Sequence, residues 1–169
     1  MIKDKLLQAN AIMFGDFTLT SGKKSDYYVD MKSPIASSPE LLNEVSDEIA
    51  KHVSARSVAG VELGAVPILV ATAMKLRIPY AIIRKDNREH GITDPLVGAP
   101  LFGTTVDIIE DVVTTGTSVM RAASILRGKG LFVSKVICVV DREDGARELL
   151  NQNGMSLVSI VRISEILRR

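Results

Sequence analysis

The chain has 169 residues, 46% of them hydrophobic and 24% charged, with a formal net charge of +1. This length suits one domain with a real core rather than a two-domain enzyme, and the near-zero charge gives no general attraction to nucleic acid or membrane, so any anion site must come from local clusters. The single cysteine excludes an internal disulfide framework, the longest apolar run (Leu63 to Met74) is broken by Pro67 and too short to cross a bilayer, and the N-terminus has no signal-peptide core; a cytoplasmic protein is expected.

From the N-terminus, Ile2, Leu6, Ala9 and Met13 recur at helical spacing, and Phe14 to Gly22 reads as a hairpin, so residues 1–33 are expected to form a helix and a small hood ahead of an α/β core at 34–169. Ser37-Ser38-Pro39-Glu40 announces a helix with cap serines, a first-turn proline and an early acid; Leu42, Val45, Ile49 and Val53 form its apolar stripe. A strand at Ser57 to Val61 leads through Gly64 into an apolar helix ending near Leu76, and Pro79 opens the strand Tyr80 to Arg84.

Between Lys85 and Gly98 the apolar periodicity disappears, with Gly91, Pro95 and Gly98 as breakers, so a mobile loop is expected at 85–98. The strand Thr105 to Ile109 ends in Glu110-Asp111 and feeds a helix bearing Val119, Ala122, Ala123 and Leu126 that stops at Gly128 or Gly130. The strand Val133 to Val140, holding Cys138 as a small buried residue, the helix Glu143 to Asn151, the strand Leu157 to Val161 and a short terminal helix complete the chain. This alternation predicts an α/β fold with about five parallel strands flanked by helices.

The segment Ile108-Ile109-Glu110-Asp111-Val112-Val113-Thr114-Thr115-Gly116-Thr117-Ser118 is the most informative. It places two carboxylates at the C-terminal end of a strand, the edge where open α/β sheets bind ligands, and a glycine with hydroxyls at a helix start, where unpaired N–H groups and the positive dipole end suit a phosphate. The acids do not favour a bare phosphate, so ribose hydroxyls or a nearby magnesium ion are their expected partners. A strand end followed by a capping threonine is the plainer reading, yet it leaves the acid pair and the Thr-Thr-Gly-Thr-Ser string unexplained. Neither a G-x-x-x-x-G-K-[ST] loop nor a G-x-G-x-x-G after a strand is present.

This pattern resembles the motif that binds phosphoribosyl pyrophosphate (PRPP) in type I phosphoribosyltransferases. Three further segments resemble the orotate phosphoribosyltransferases: Phe17-x-Leu19-x-Ser21-Gly22-x-x-Ser25-x-Tyr27-Tyr28-x-Asp30, similar to their N-terminal hood; Arg84-Lys85-Asp86-Asn87-Arg88-Glu89-His90-Gly91, similar to their basic catalytic loop; and Asp141-Arg142 after a strand. Taken singly, tyrosines in a strand usually pack, a strand-end arginine is usually solvated and a charged loop is usually surface. His90 differs because Arg84, Lys85 and Arg88 crowd around it, a cationic cluster that calls for an anion.

The resemblance implies a type I phosphoribosyltransferase fold and an enzyme of pyrimidine biosynthesis that transfers the ribose 5-phosphate of PRPP to orotate, giving orotidine 5′-monophosphate and pyrophosphate. It implies magnesium as cofactor, with no protein ligand to the metal assigned. Lys85, Arg88 and His90 would stabilise the leaving diphosphate, with Arg84 beside them; Glu110 and Asp111 would hold the ribose, Asp111 as a catalytic residue, and 112–118 the 5′-phosphate; Thr114, Arg142 and Tyr28 would face orotate. It also implies a homodimer whose loop at 85–98 acts across the interface, with Gly91 and Gly98 as hinges. Many relatives carry lysine at the places of Thr20 and Arg88, Asp at that of Glu110, and some a lysine near Leu63-Gly64-Ala65. The alternatives are another nucleobase phosphoribosyltransferase, which would lack the hood match, and a PRPP-sensing regulator that binds nucleic acid, which would need the basic face that a net charge of +1 argues against.

Overall fold

A computed structural model describes residues 1–18, 22, 24–85, 94–98, 100 and 103–167. Helix α1 (Ile2–Gln8) is followed by strands β1 (Ile12–Thr18) and β2 (Lys24–Val29), which pair antiparallel as a separate two-stranded sheet, the expected hood. The helical spacing that included Met13 carried too far: Asn10 turns the chain at φ 54°, and Met13 lies in β1 opposite Tyr28. A short helix absent from the sequence reading, α2 (Lys32–Ser37), leads into α3 (Pro39–Ala50).

At the start of α3 the Ser38 side chain accepts a hydrogen bond from the Leu41 N–H, as the cap signal predicted. Leu41, Val45 and Ile49 form its buried face, whereas Val53 falls beyond its end.

The core runs β3 (Ser57–Val61), α4 (Ala65–Leu76), β4 (Tyr80–Ile83), β5 (Leu96–Gly98), β6 (Thr105–Val113), α5 (Thr117–Gly128), β7 (Phe132–Asp141), α6 (Ala146–Gln152), β8 (Ser156–Arg162) and α7 (Ile163–Leu167). The large sheet has the order β5-β4-β3-β6-β7-β8, with β4, β3, β6, β7 and β8 mutually parallel as anticipated. The sixth strand corrects the loop boundary, because Leu96–Gly98 adds antiparallel to β4. Gly98 is required there: a Cβ would lie 2.6 Å from the Tyr80 carbonyl oxygen, on a backbone at φ +101°. Helix α6 begins at Ala146 rather than Glu143, since Glu143 (φ 58°) and Gly145 (φ 99°) both hold left-handed conformations.

Alternation along the strands divides the core in two. Ile108 and Cys138 face Val119, Ala122 and Leu126 of α5, whereas Ile109 and Ile137 face α3, α4 and the N-terminal Leu6. Cys138 is fully buried, and burial pushes its thiol far above the usual range, so it acts as packing. Strand succession reverses between β3 and β6, and β6 outruns β3: their pairing stops at Gly60↔Ile109, while β6 continues beside β7 to Val113↔Asp141. A crevice therefore opens beyond the carboxyl end of β3.

Candidate active site

A cavity of about 440 Å³ fills this crevice, bounded by Val61 to Gly64, by 110–119, and by Lys32 and Lys85. Period-two alternation sends the two acids to opposite faces of β6: Glu110 follows Ile108 toward α5, and Asp111 follows Ile109 toward the start of α4. Glu110 is only 6% exposed, and its Oε1 is buried without a hydrogen-bond partner among the described residues. Burial drives its carboxyl well above the ordinary value, and the neighbouring Asp111 adds to that shift. The sequence places both acids at the C-terminal end of a strand, as found, though β6 runs on past them to Val113.

Burial also raises Asp111, opposed by the Val112 N–H and the Lys32 ammonium. Asp111 rests on Gly64, where a Cβ would stand 1.9 Å from Asp111 Oδ2. The absence of a side chain at 64 is thus what lets this carboxylate reach the cavity wall.

After β6 the chain turns through Thr114 and Thr115 to Gly116, the N-cap of α5 at φ 86°. Gly116 offers no side chain to the first-turn N–H groups, which open on the cavity with the hydroxyls of Thr115 and Thr117, 3.0 Å apart. A Cβ at 116 would meet Ala146 Cβ at 3.3 Å, so the glycine also allows α6 to pack behind the turn.

Of the basic loop residues, Lys85 lines the cavity and Arg84, the residue after β4, does not; Arg88, His90 and Gly91 lie outside the described residues, as do Leu19, Thr20 and Ser21 of the hood motif. Arg142 follows Asp141, a 1% exposed acid whose Oδ1 accepts from the Glu143 N–H (2.8 Å) and whose Oδ2 accepts from Arg147 Nη2 (3.0 Å). The Arg142 guanidinium lies 5.4 Å from the Tyr27 ring centroid and 3.4 Å from Asp144, and its Nε is buried without a hydrogen-bond partner among the described residues. Arg142 therefore joins the core to the hood and is not among the residues of the cavity wall. Tyr28 also stands off the wall, 41% exposed and packed on Phe17 with ring centroids 5.6 Å apart.

Two charged wall residues were missed in the sequence. Lys32 starts α2 with its N–H donating to Asp30 Oδ1 at 2.9 Å, and Glu62 accepts from the Lys85 N–H at 2.8 Å. The only sequence signal for Lys32 was its nearness to the hood motif ending at Asp30; for Glu62 there was none beyond its place after a strand.

The phosphoribosyl transferase domain family matches residues 33–159. A protein of Thermoplasma volcanium named orotate phosphoribosyltransferase is 52% identical, with 99% of this chain and 100% of its own covered. One of the same name from Picrophilus torridus is 48% identical over 98% of this chain and 99% of its own. The crystal structure of orotate phosphoribosyltransferase from Aeropyrum pernix superposes with a TM-score of 0.89 at 32% identity, covering 99% of this chain and 96% of its own.

Proposed function

The chain belongs to the phosphoribosyltransferase family, among the orotate phosphoribosyltransferases, and we infer from that membership how its cavity carries out the transfer. The enzyme is a pentosyltransferase of pyrimidine biosynthesis: a ring nitrogen of orotate displaces pyrophosphate from the anomeric carbon of PRPP, giving orotidine 5′-monophosphate. The observation that carries the assignment of roles is the cavity itself, where an acid pair, a glycine-capped helix start and Lys85 surround one space.

In this reading the 5′-phosphate sits at the N-terminus of α5, held by N–H groups of 115–118 and the Thr115 and Thr117 hydroxyls. Asp111 accepts from ribose hydroxyls. Glu110, kept toward its neutral form by burial, can donate a proton to a hydrogen bond that an ionised carboxylate cannot. The diphosphate lies toward Lys85, Lys32 and the 62–64 turn, and the loop cations Arg88 and His90 meet the charge that gathers on it. Thr114 faces the base from the cavity wall, and Arg142, fixed against Tyr27, answers the orotate carboxylate.

Magnesium belongs to this proposal. The carboxylates of Glu62 and Asp111 on the wall suit a hard cation that keeps most of its ligands from substrate oxygens, and such an ion would neutralise the diphosphate. The working unit is a homodimer in which each basic loop serves the neighbouring cavity, in the cytoplasm; among the described residues no helix is long and apolar enough to cross a membrane.

A panel of orotate, uracil, adenine and hypoxanthine, each with PRPP and magnesium, tests the reading. Pyrophosphate release with orotate alone is expected; turnover of a purine in preference to orotate would reassign the base site.

A further inference from the structure

The peptide unit that joins Arg84 to Lys85 is gripped from both sides. Its N–H, on Lys85, donates to Glu62 Oε1 at 2.8 Å, and its carbonyl, on Arg84, accepts from Arg121 Nη1 at 2.8 Å. The charges have the favourable order, since the peptide dipole presents its positive end to the carboxylate and its negative end to the guanidinium. One residue earlier, the Arg84 N–H donates to the Pro95 carbonyl at 2.8 Å, so the strand-like pairing of β4 and β5 extends to the peptide just before the clamp.

Of the two gripping side chains, Glu62 comes from the cavity wall and Arg121 from α5, just beyond the part of that helix that lines the cavity. Glu62 stands two residues before Gly64, the seat of Asp111, and Arg121 lies one turn after Thr117, on the helix whose N-terminus faces the phosphate. The Glu62 carboxylate is committed at Oε1 to this peptide, whatever its second oxygen meets in the cavity. Here the charge is taken up by the Lys85 N–H and faced across the peptide by Arg121.

We propose that Glu62 and Arg121 are positioning residues that fix the plane of the Arg84–Lys85 peptide, and so aim Lys85 into the cavity in register with the 62–64 turn and the start of α5. This rests on the proposed role of Lys85 toward the diphosphate. Both are exposed enough to be replaced without opening the core.

The test is a double-mutant cycle on orotate turnover, with Arg121→Met and Lys85→Ala made singly and together, and with Arg121→Lys and Glu62→Gln beside them. The clamp predicts that Arg121→Met lowers kcat/KM at least tenfold in the native background but less than twofold once Lys85 is gone. It also predicts that KM for pyrophosphate in the reverse reaction rises while the Kd of orotidine monophosphate, which carries no diphosphate, moves less than twofold. Arg121→Lys, still able to donate to the Arg84 carbonyl, should recover part of the loss, and Glu62→Gln should show a weaker version of the same split. Additive losses in the cycle, or Arg121→Met within twofold of native, would overturn the clamp. An inactive native enzyme, or a Lys85→Ala enzyme with native activity, would instead bring down the assignment on which it rests.

Discussion

Gly64→Ala adds one methyl group, and the structure says where it goes. Gly64 has φ −65° and ψ −35°, a conformation open to alanine, so the substitution carries no backbone penalty and isolates the contact. The new Cβ would lie 1.9 Å from Asp111 Oδ2 and 2.6 Å from its Cγ, where ordinary contact begins at 3.4 Å. The carboxylate must therefore retreat by about 1.5 Å (3.4 − 1.9), away from the wall and out of line with the ribose. Misplacement of roughly 1 Å at a reacting centre costs about 10²-fold, so kcat/KM should fall by about two orders of magnitude, or about 2.7 kcal/mol. The assay is orotate consumption at saturating magnesium, with thermal unfolding run alongside to show that the variant remains folded. A folded Gly64→Ala enzyme within threefold of native kcat/KM would refute the argument that Asp111 works from its seat on Gly64.

Arg142→Ala should raise KM for orotate more than KM for PRPP, as initial-rate measurements with each substrate varied in turn would show; the reverse ranking moves Arg142 to the phosphoribosyl side. Glu110→Gln should stabilise the protein at neutral pH. The native carboxyl is shifted upward by burial, so its favourable contribution is complete below the unfolded value near 4.5 and is lost as pH rises through the folded value. Melting scans should accordingly show the variant ahead by a few degrees at pH 7–8, about 2–4 °C for each ~1 kcal/mol, converging with native below about pH 4.5; no difference at any pH removes the buried-acid account. Mixing Asp111→Asn with Arg88→Ala subunits should restore activity toward about a quarter of native sites, because about half the dimers are hybrids with one intact site. Tagged hybrids as inactive as their parents would confine the loop to its own subunit.

Much of the fold was legible where one local signal sufficed. Ser57–Val61 is a fully buried strand bounded by polar residues, and Ala65–Leu76 is an apolar helix set between Gly64 and Pro79; both were read with their observed bounds. The errors fall where distant partners decide. Met13 keeps helical spacing but sits past the left-handed Asn10, and Leu96–Gly98 is a strand only because β4 offers its edge. Glu110 and Asp111 were read at the end of their strand, and its continuation to Val113 stayed hidden because nothing local shows that β6 outruns β3 beside β7.

The site shows the same division. The run from Glu110 to Ser118 is contiguous and reached the cavity intact, because a strand, a glycine turn and a helix start are local structures. Lys32 and Glu62 stand far apart in the chain, as do Arg121 and the Arg84 carbonyl it grips, and only the tertiary fold brings each pair together. The seat of Asp111 on Gly64 was equally hidden, because nothing local to Gly64 shows that a carboxylate occupies the space where its side chain would be.

Transfer of phosphoribose to orotate in this cavity, with Asp111 holding the ribose as proposed, can be tested in one assay. The direct measurement is the loss of orotate absorbance on adding PRPP and magnesium, made side by side with native enzyme and Asp111→Asn. Removing a charged hydrogen-bond partner costs about 1.5–3 kcal/mol, so a folded Asp111→Asn enzyme should retain between roughly a tenth and a hundredth of native kcat/KM. Native enzyme that leaves orotate unchanged, or a folded Asp111→Asn enzyme that consumes it at the native rate, would contradict the account.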